Sequence, residues 1–391
     1  KRLYEREMGE LMTGNSFKLN VTVNISENMD KIKDIFLEGT SIHYSYSLDY
    51  IKQNKDLYSL FLNFKTLFEY IDEQGRISLV SKPSEMDTLE KLMGTRSVNH
   101  YENGIVFNLF EMSSSTQIAA YEHTLNQLNI SLEEILKHVF TSTFQDKYIF
   151  AKNAHFMTPS ATSSDFEKIR ILAPEFESIL KQFKLFVEDG NIDFELLQIS
   201  SSPSAVKDIP SLNTNKYIYL NKKNEVIQNC FKLLFSNQVM LRYVDPFKDK
   251  KHSSFFDLII NEEVYFDYYK EHYKQKLNYL IEHNIIAIND KGAIEITNYE
   301  KLGIFKDLYD NEVASFYHYP ENFKEEAQRL VVENAVYFDS SLFSKPEQEY
   351  FNFYLNKSEH TNGLDLRNSY LHGTQAKSSN IEEHRLAYLR Y

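Results

Sequence analysis

The chain has 391 residues, 42% hydrophobic and 25% charged, which is enough for several cored domains and too apolar for a chiefly disordered protein. Acids outnumber Lys and Arg by 56 to 43, giving a net charge of −13; that excludes a general nucleic-acid coat, because phosphate affinity comes from clustered cations. The single cysteine, Cys230, excludes an internal disulfide and a cysteine-built zinc site, and no apolar run reaches the ~18 residues of a membrane span.

Residues 1–12 have the pattern of an amphipathic helix. Phe17, Leu19, Val21, Val23 and Ile25 alternate and predict a strand, followed by a helix from Glu27 to Leu37. Between Asp56 and Asp72, Leu57, Leu60, Phe61, Phe64, Leu67 and Phe68 recur at helical spacing. Gln74-Gly75 reads as a turn into a short strand, Ile77 to Val80, and Ile105 to Phe110 as another; Ser113–Ser115, with no glycine-flanked nucleophile elbow, reads as a loop. Ser131 with Glu134 and Ser164 with Glu167 are capping-box pairs. Pro174 interrupts or opens a helix running to about Val187, which Glu188-Asp189-Gly190 stops.

The Ser-, Pro- and Asn-rich segment Ser200 to Asn215 is the linker candidate. Val226 to Phe235 reads as an apolar helix that buries Cys230, and the aromatic run Val264 to Tyr269 as packing. Lys270 to His283 predicts a helix. Ile285–Ile288, the turn Asn289–Gly292 and Ala293–Thr297 then predict a hairpin, which together make the skeleton of a winged helix. Lys270, Lys274 and Lys276 are offset by Glu271, Glu282 and Glu295, so no basic DNA-binding face emerges. No internal repeat at a fixed period is evident. The expected fold is mainly α and multi-domain. Residues 1–125 form a mixed α/β domain, 126–210 a helical region, 211–299 a helical region with the winged-helix-like hairpin, and 300–391 a helical bundle.

The stretch Asn362-Gly363-Leu364-Asp365-Leu366-Arg367-Asn368-Ser369-Tyr370-Leu371-His372 carries the chemistry. Asn362-Gly363 breaks the chain, Asp365 is a candidate N-cap, and Asn368 and His372 share a helix face. Arg367 lies about 140° round the helix from His372, but its long side chain can swing to the helix end, where the dipole already favours a phosphate. Arg supplies a permanent fork for phosphate oxygens and His moves a proton near neutral pH. Together they suffice for RNA cleavage without a metal, in which a ribose 2′-OH attacks its neighbouring phosphorus. The bland alternative is a helix start with Arg367 in an ion pair and His372 half buried.

This Arg-Asn-x-x-x-His run resembles the Arg-x4–6-His motif of HEPN-domain ribonucleases, a family that includes bacterial toxins and phage-defence effectors. The resemblance covers about residues 300–391. It implies a four- to five-helix bundle, pairing of two copies into one composite site, and metal-independent cutting of RNA. Arg367 would clamp the phosphate, Asn368 would orient the imidazole and His372 would be the acid/base. The expected partners are RNA, a second copy bound through the C-terminal bundle, and a regulatory protein or nucleic-acid trigger, with no membrane. The expected compartment is a bacterial cytoplasm, and the chain reads as a piece of a longer protein. Two other readings stay open: a non-catalytic sensor or scaffold of a defence system, and a winged-helix DNA-binding regulator.

No cofactor is indicated. His360 and His384 lack the spacing of metal ligands, so no metal is expected. Glu312 and His318 form a second polar patch able to reach the same cleft, although Glu312 also reads as a plain helix-face charge.

Overall fold

The computed structural model of the chain describes residues 20–39, 41–86, 90–91, 97–199, 205–356, 359–371 and 380–391. The helix expected over 1–12 lies outside them. The described chain is mainly α-helical, with a small mixed sheet near its start. No described helix is long and apolar enough to cross a membrane.

Alternation makes the first strand, β1 (Asn20–Ser26), whose odd residues are partly buried. The helix expected over 27–37 does not form. Asn28 turns the chain at φ 59, its N–H donating to Asp49, and β2 (Lys33–Glu38) follows. Gly39, at φ 61, then turns the chain into β3 (Ser41–Ser47). Ile32, Ile35 and Phe36 fit a helical face by spacing, but pairing with β3 wins, and Phe36 stacks on His43 directly opposite. The sheet order is β1-β3-β2, with β1 parallel to β3. Helices α1 (Leu48–Gln53) and α2 (Leu57–Thr66) follow, and Tyr46, Ile51 and Leu60 join one buried cluster.

Residues 70–78 form a tight loop held by the Ile71–Ile77 bridge in place of an extended strand. Ile105–Phe110 is also no strand. It opens the 23-residue helix α3 (Ile105–Gln127), so Ser113–Ser115 sit mid-helix. There Ser113 takes a hydrogen bond from the Tyr44 hydroxyl, and Ser114 donates to the Glu111 carbonyl, which keeps these hydroxyls satisfied inside the helix. After α4 (Leu132–His138), with its Ser131 capping box, helix α5 runs from Asp165 to Asp189 straight through Pro174 and ends at Gly190, φ 72. The expected linker packs where it is described. Ile209 is fully buried, and residues 209–211 hydrogen-bond to Ser340 and Leu342.

From Tyr217 to Asp339 the chain contains a duplication, correcting the expectation of no repeat. The elements are β4 (Tyr217–Leu220), α6 (Glu225–Phe235), α7 (Phe255–Asn261), α8 (Glu271–Glu282), β5 (Ile286–Ile288), β6 (Ile294–Ile296), α9 (Tyr299–Asn311), β7 (Ala314–Ser315), α10 (Glu321–Val332) and β8 (Val336–Asp339). At a constant offset of fifty residues, Phe266, Tyr269, Glu271, Lys274, Leu280 and Asn284 recur as Phe316, Tyr319, Glu321, Lys324, Leu330 and Asn334. Backbone detail recurs too: Asn284 and Asn334 both have positive φ, and Ile285 and Ala335 donate to Leu280 and Leu330.

The central strands are exchanged. Strand β6 pairs with β5, Ile294 facing Ile288, and Ala293 bridges to Tyr265. Strand β4 pairs in the same way with β8, Ile218 facing Phe338, and Tyr217 pairs with Ser315 of β7. Each copy's leading strand therefore completes the other copy's sheet. One hydrophobic core runs from Ile218 to Val336, so the boundary expected at 299/300 falls inside it.

The last helices, α11 (Lys345–Leu355), α12 (Leu366–Leu371) and α13 (Ile381–Arg390), pack elsewhere. Phe353, Leu366, Tyr370 and Tyr388 share a core with Phe107 of α3 and Ile169 and Leu172 of α5. Arg385 and Arg390 of α13 pair with Glu122 and Glu111 of α3. The bundle is thus assembled from 105–127, 165–189 and the helices 345–355, 366–371 and 381–390, in place of the contiguous 300–391.

Candidate functional site

The break before α12 is pinned by Asn362, which accepts from the Tyr101 N–H at 2.9 Å and donates to the Tyr101 carbonyl at 3.0 Å. Asp365 turns the chain at φ 58, and its carbonyl accepts from the Ser369 N–H, starting the helix. Leu366 and Tyr370 face the bundle core, which leaves Arg367 and Asn368 on the half-buried flank.

Arg367 grips one carboxylate oxygen with two donors: Nε and Nη2 lie 2.9 and 2.6 Å from Glu177 Oε2. Its Nη1 donates to Asn368 Oδ1 at 3.0 Å, and Asn368 Nδ2 donates in turn to Asp365 Oδ1 at 2.8 Å. The other Glu177 oxygen lies 3.1 Å from Lys181 Nζ, one turn along α5. Burial pushes the Glu177 carboxyl up, but hydrogen bonds from Arg367 and Lys181 outweigh it and hold the group below its ordinary range. Arg367 and Asn368, neighbours in the chain, are thus hydrogen-bonded to each other. Both Asn368 polar atoms are engaged within this chain of contacts, with Arg367 and Asp365. His372 lies outside the described residues, directly after the last residue of α12.

The other candidates separate. Glu312, at φ 60, ends α9 with Lys222 3.7 Å away, whereas His318 sits in an exposed turn with Nδ1 2.8 Å from the Ser315 hydroxyl. His384 is a core residue, its Nδ1 2.8 Å from the Tyr370 hydroxyl. His360 is buried edge-on against Tyr101. Among the described residues no group of three His, Cys, Asp or Glu is placed to hold a metal. On the helix–hairpin, Lys274 stands beside Asp267 and Glu271, and in the second copy Arg329 stands beside Glu326 and Glu325, so these cations are matched by acids.

Sequence reasoning missed Glu177 and Lys181. Their only signal was an i,i+4 pair on an acidic helix, which is ordinary surface chemistry until α12 docks on it. No protein-family model, characterised protein or solved structure matches the chain.

Proposed function

We propose that this chain is a metal-independent, HEPN-like endoribonuclease acting in a bacterial cytoplasm as a toxin or antiphage-defence effector. Arg367 is the phosphate clamp, Asn368 the positioning group and His372 the acid/base. The observation that carries the reading is the Arg367–Asn368 link at the head of a helix seated on the two long helices α3 and α5. A guanidinium that already holds one oxygen of Glu177 with two donors is shaped for a phosphate oxygen. Glu177 therefore occupies the clamp in this state, and the RNA phosphate has to displace it.

In the reaction the ribose 2′-oxygen bonds to phosphorus and the bond from phosphorus to the 5′-oxygen breaks. His372 takes the 2′-hydroxyl proton, and the leaving 5′-oxygen needs a proton from a second acid. One chain offers one His372, so pairing of two copies through the bundle supplies both. Arg367 balances the extra negative charge on the equatorial oxygens. The winged-helix-like unit then serves contact rather than DNA binding, since Lys274 and Arg329 sit beside acids.

The test is cleavage of total RNA and tRNA in EDTA by the chain, beside His372→Ala and Arg367→Ala, with solution mass measured alongside. Loss of the cut by at least ~100-fold in both variants is expected. A dimer in which none of the three cuts would make the Glu177–Arg367 pair structural and the chain a non-catalytic scaffold.

A further inference from the structure

We propose that the cleft where the N-terminal part, the duplicated unit and the C-terminal helices meet is a binding site for a small nucleoside phosphate. The cleft encloses about 1230 Å³, more than the ~300–1,000 Å³ of ordinary small-molecule pockets, so a nucleotide fits with room for water. It is distinct from the Arg367 site, and none of the Arg367 partners lines it.

In a chain of net charge −13, four exposed lysines line this cleft: Lys91, Lys222 and Lys223, the last two just ahead of α6, and Lys345 at the head of α11. Lys345 Nζ lies 4.6 Å from the Tyr219 ring and 4.8 Å from the Tyr337 ring, and touches the Tyr337 hydroxyl. The two rings stack across β4 and β8, 5.6 Å apart and 29° from parallel. The duplication supplies an internal control. The cross-strand pair at the equivalent position of the first copy is Ala287 with Glu295. Strand pairing does not require two rings and a cation here, and the copy that faces the cleft is the one that has them.

Acceptors complete the set. Glu102, Glu312 and Glu349 stand in the same walls. His360, only 6% exposed, has Nε2 2.8 Å from Glu349 Oε2, yet neither ring nitrogen makes a well-directed hydrogen bond among the described residues. Phosphate oxygens are matched by the lysines, a planar base by the exposed Tyr337 ring, and sugar hydroxyls by the carboxylates. Neither inorganic phosphate nor a bare base uses all three.

The test is calorimetric titration of the full chain with ATP, GTP, adenosine, pyrophosphate and a 5′-phosphorylated tetranucleotide. The same titrations are run on Lys345→Ala, Lys222→Ala/Lys223→Ala and Tyr337→Ala. These side chains are exposed (Tyr337 is 39% so), and an unchanged melting temperature checks the fold. Lys274→Ala, in the first copy, is the control. Saturable binding of ATP or GTP is expected, weakened roughly tenfold or more by each site variant and unchanged by the control. Adenosine and pyrophosphate should each bind more weakly than the whole nucleotide. Four results would overturn the proposal: no saturable binding of either nucleotide up to about 1 mM, binding indifferent to all site variants, pyrophosphate binding as well as ATP, or the tetranucleotide binding more tightly than ATP.

Discussion

Arg76 ties the N-terminal loop 70–78 to the duplicated unit, and Arg76→Ala tests that tie. The guanidinium is 10% exposed; it donates to Asp72 Oδ2, Asp307 Oδ1 and the Val313 carbonyl, each at 2.7 Å. Burial works against the charge, but the two carboxylates outweigh it and hold the guanidinium protonated. Removing one member of a buried pair costs ~3–5 kcal/mol, because the partner stays desolvated. Asp307 would keep donors from Gln74, Asn311 and Tyr319, which places Arg76→Ala near the lower end, ~3 kcal/mol. Asp307→Ala strands those donors as well and should cost more, ~4–5 kcal/mol. Urea unfolding of both single variants and the double variant measures the coupling, expected at ~2 kcal/mol. Hydrogen exchange should show loop 70–78 opening first in each. A cost below ~1 kcal/mol for Arg76→Ala, or additivity within ~0.5 kcal/mol, would refute the idea that this pair holds the two parts together.

The thiol of Cys230 is raised by burial to about 11. A disulfide exchange reagent at pH 8 should therefore label it only after unfolding, and rapid labelling of the native chain would contradict its burial. The sign of the linkage follows: the neutral thiol's contribution to stability is complete below the unfolded value near 9 and is lost as pH rises towards 11. Cys230→Ala should accordingly lose less stability than wild type across that window. The paired left-handed residues make a third test. Asn284→Ala should cost ~1 kcal/mol by strain alone, and Asn284→Gly close to nothing. Asn334→Ala should cost more, because Asn334 Oδ1 also accepts from Asn221 Nδ2 at 3.0 Å. Equal melting temperatures for the two alanine variants would remove that distinction.

What could be read in advance was local. The Ser164–Glu167 pair marks the true start of α5, and the alternation of Val21, Val23 and Ile25 the first strand. Helix α8 and its hairpin follow from periodicity and the Asn289–Gly292 turn. What could not be read depends on distant partners. Ile32, Ile35 and Phe36 become strand neighbours only when β3 lies beside them. The duplication hides because few identities span the copies and the strands are exchanged, so neither copy reads as a unit. At the site, Arg367 and Asn368 are legible as a motif, but the carboxylate that fills the clamp comes from a helix 190 positions earlier in the chain.

The exchanged strands also set a timetable for synthesis on the ribosome. Strand β4 emerges at residue 217, but its partners β7 and β8 are complete only at residue 339. At ~5–20 residues per second the delay is roughly 6–24 s, during which Tyr217–Leu220 carries two unpaired edges. The β5–β6 pair faces a shorter wait, since its strands follow within one hairpin. A stall or premature stop between these points would release a chain with one closed sheet and one apolar strand open to any passing edge, the kind of species that chaperones must hold.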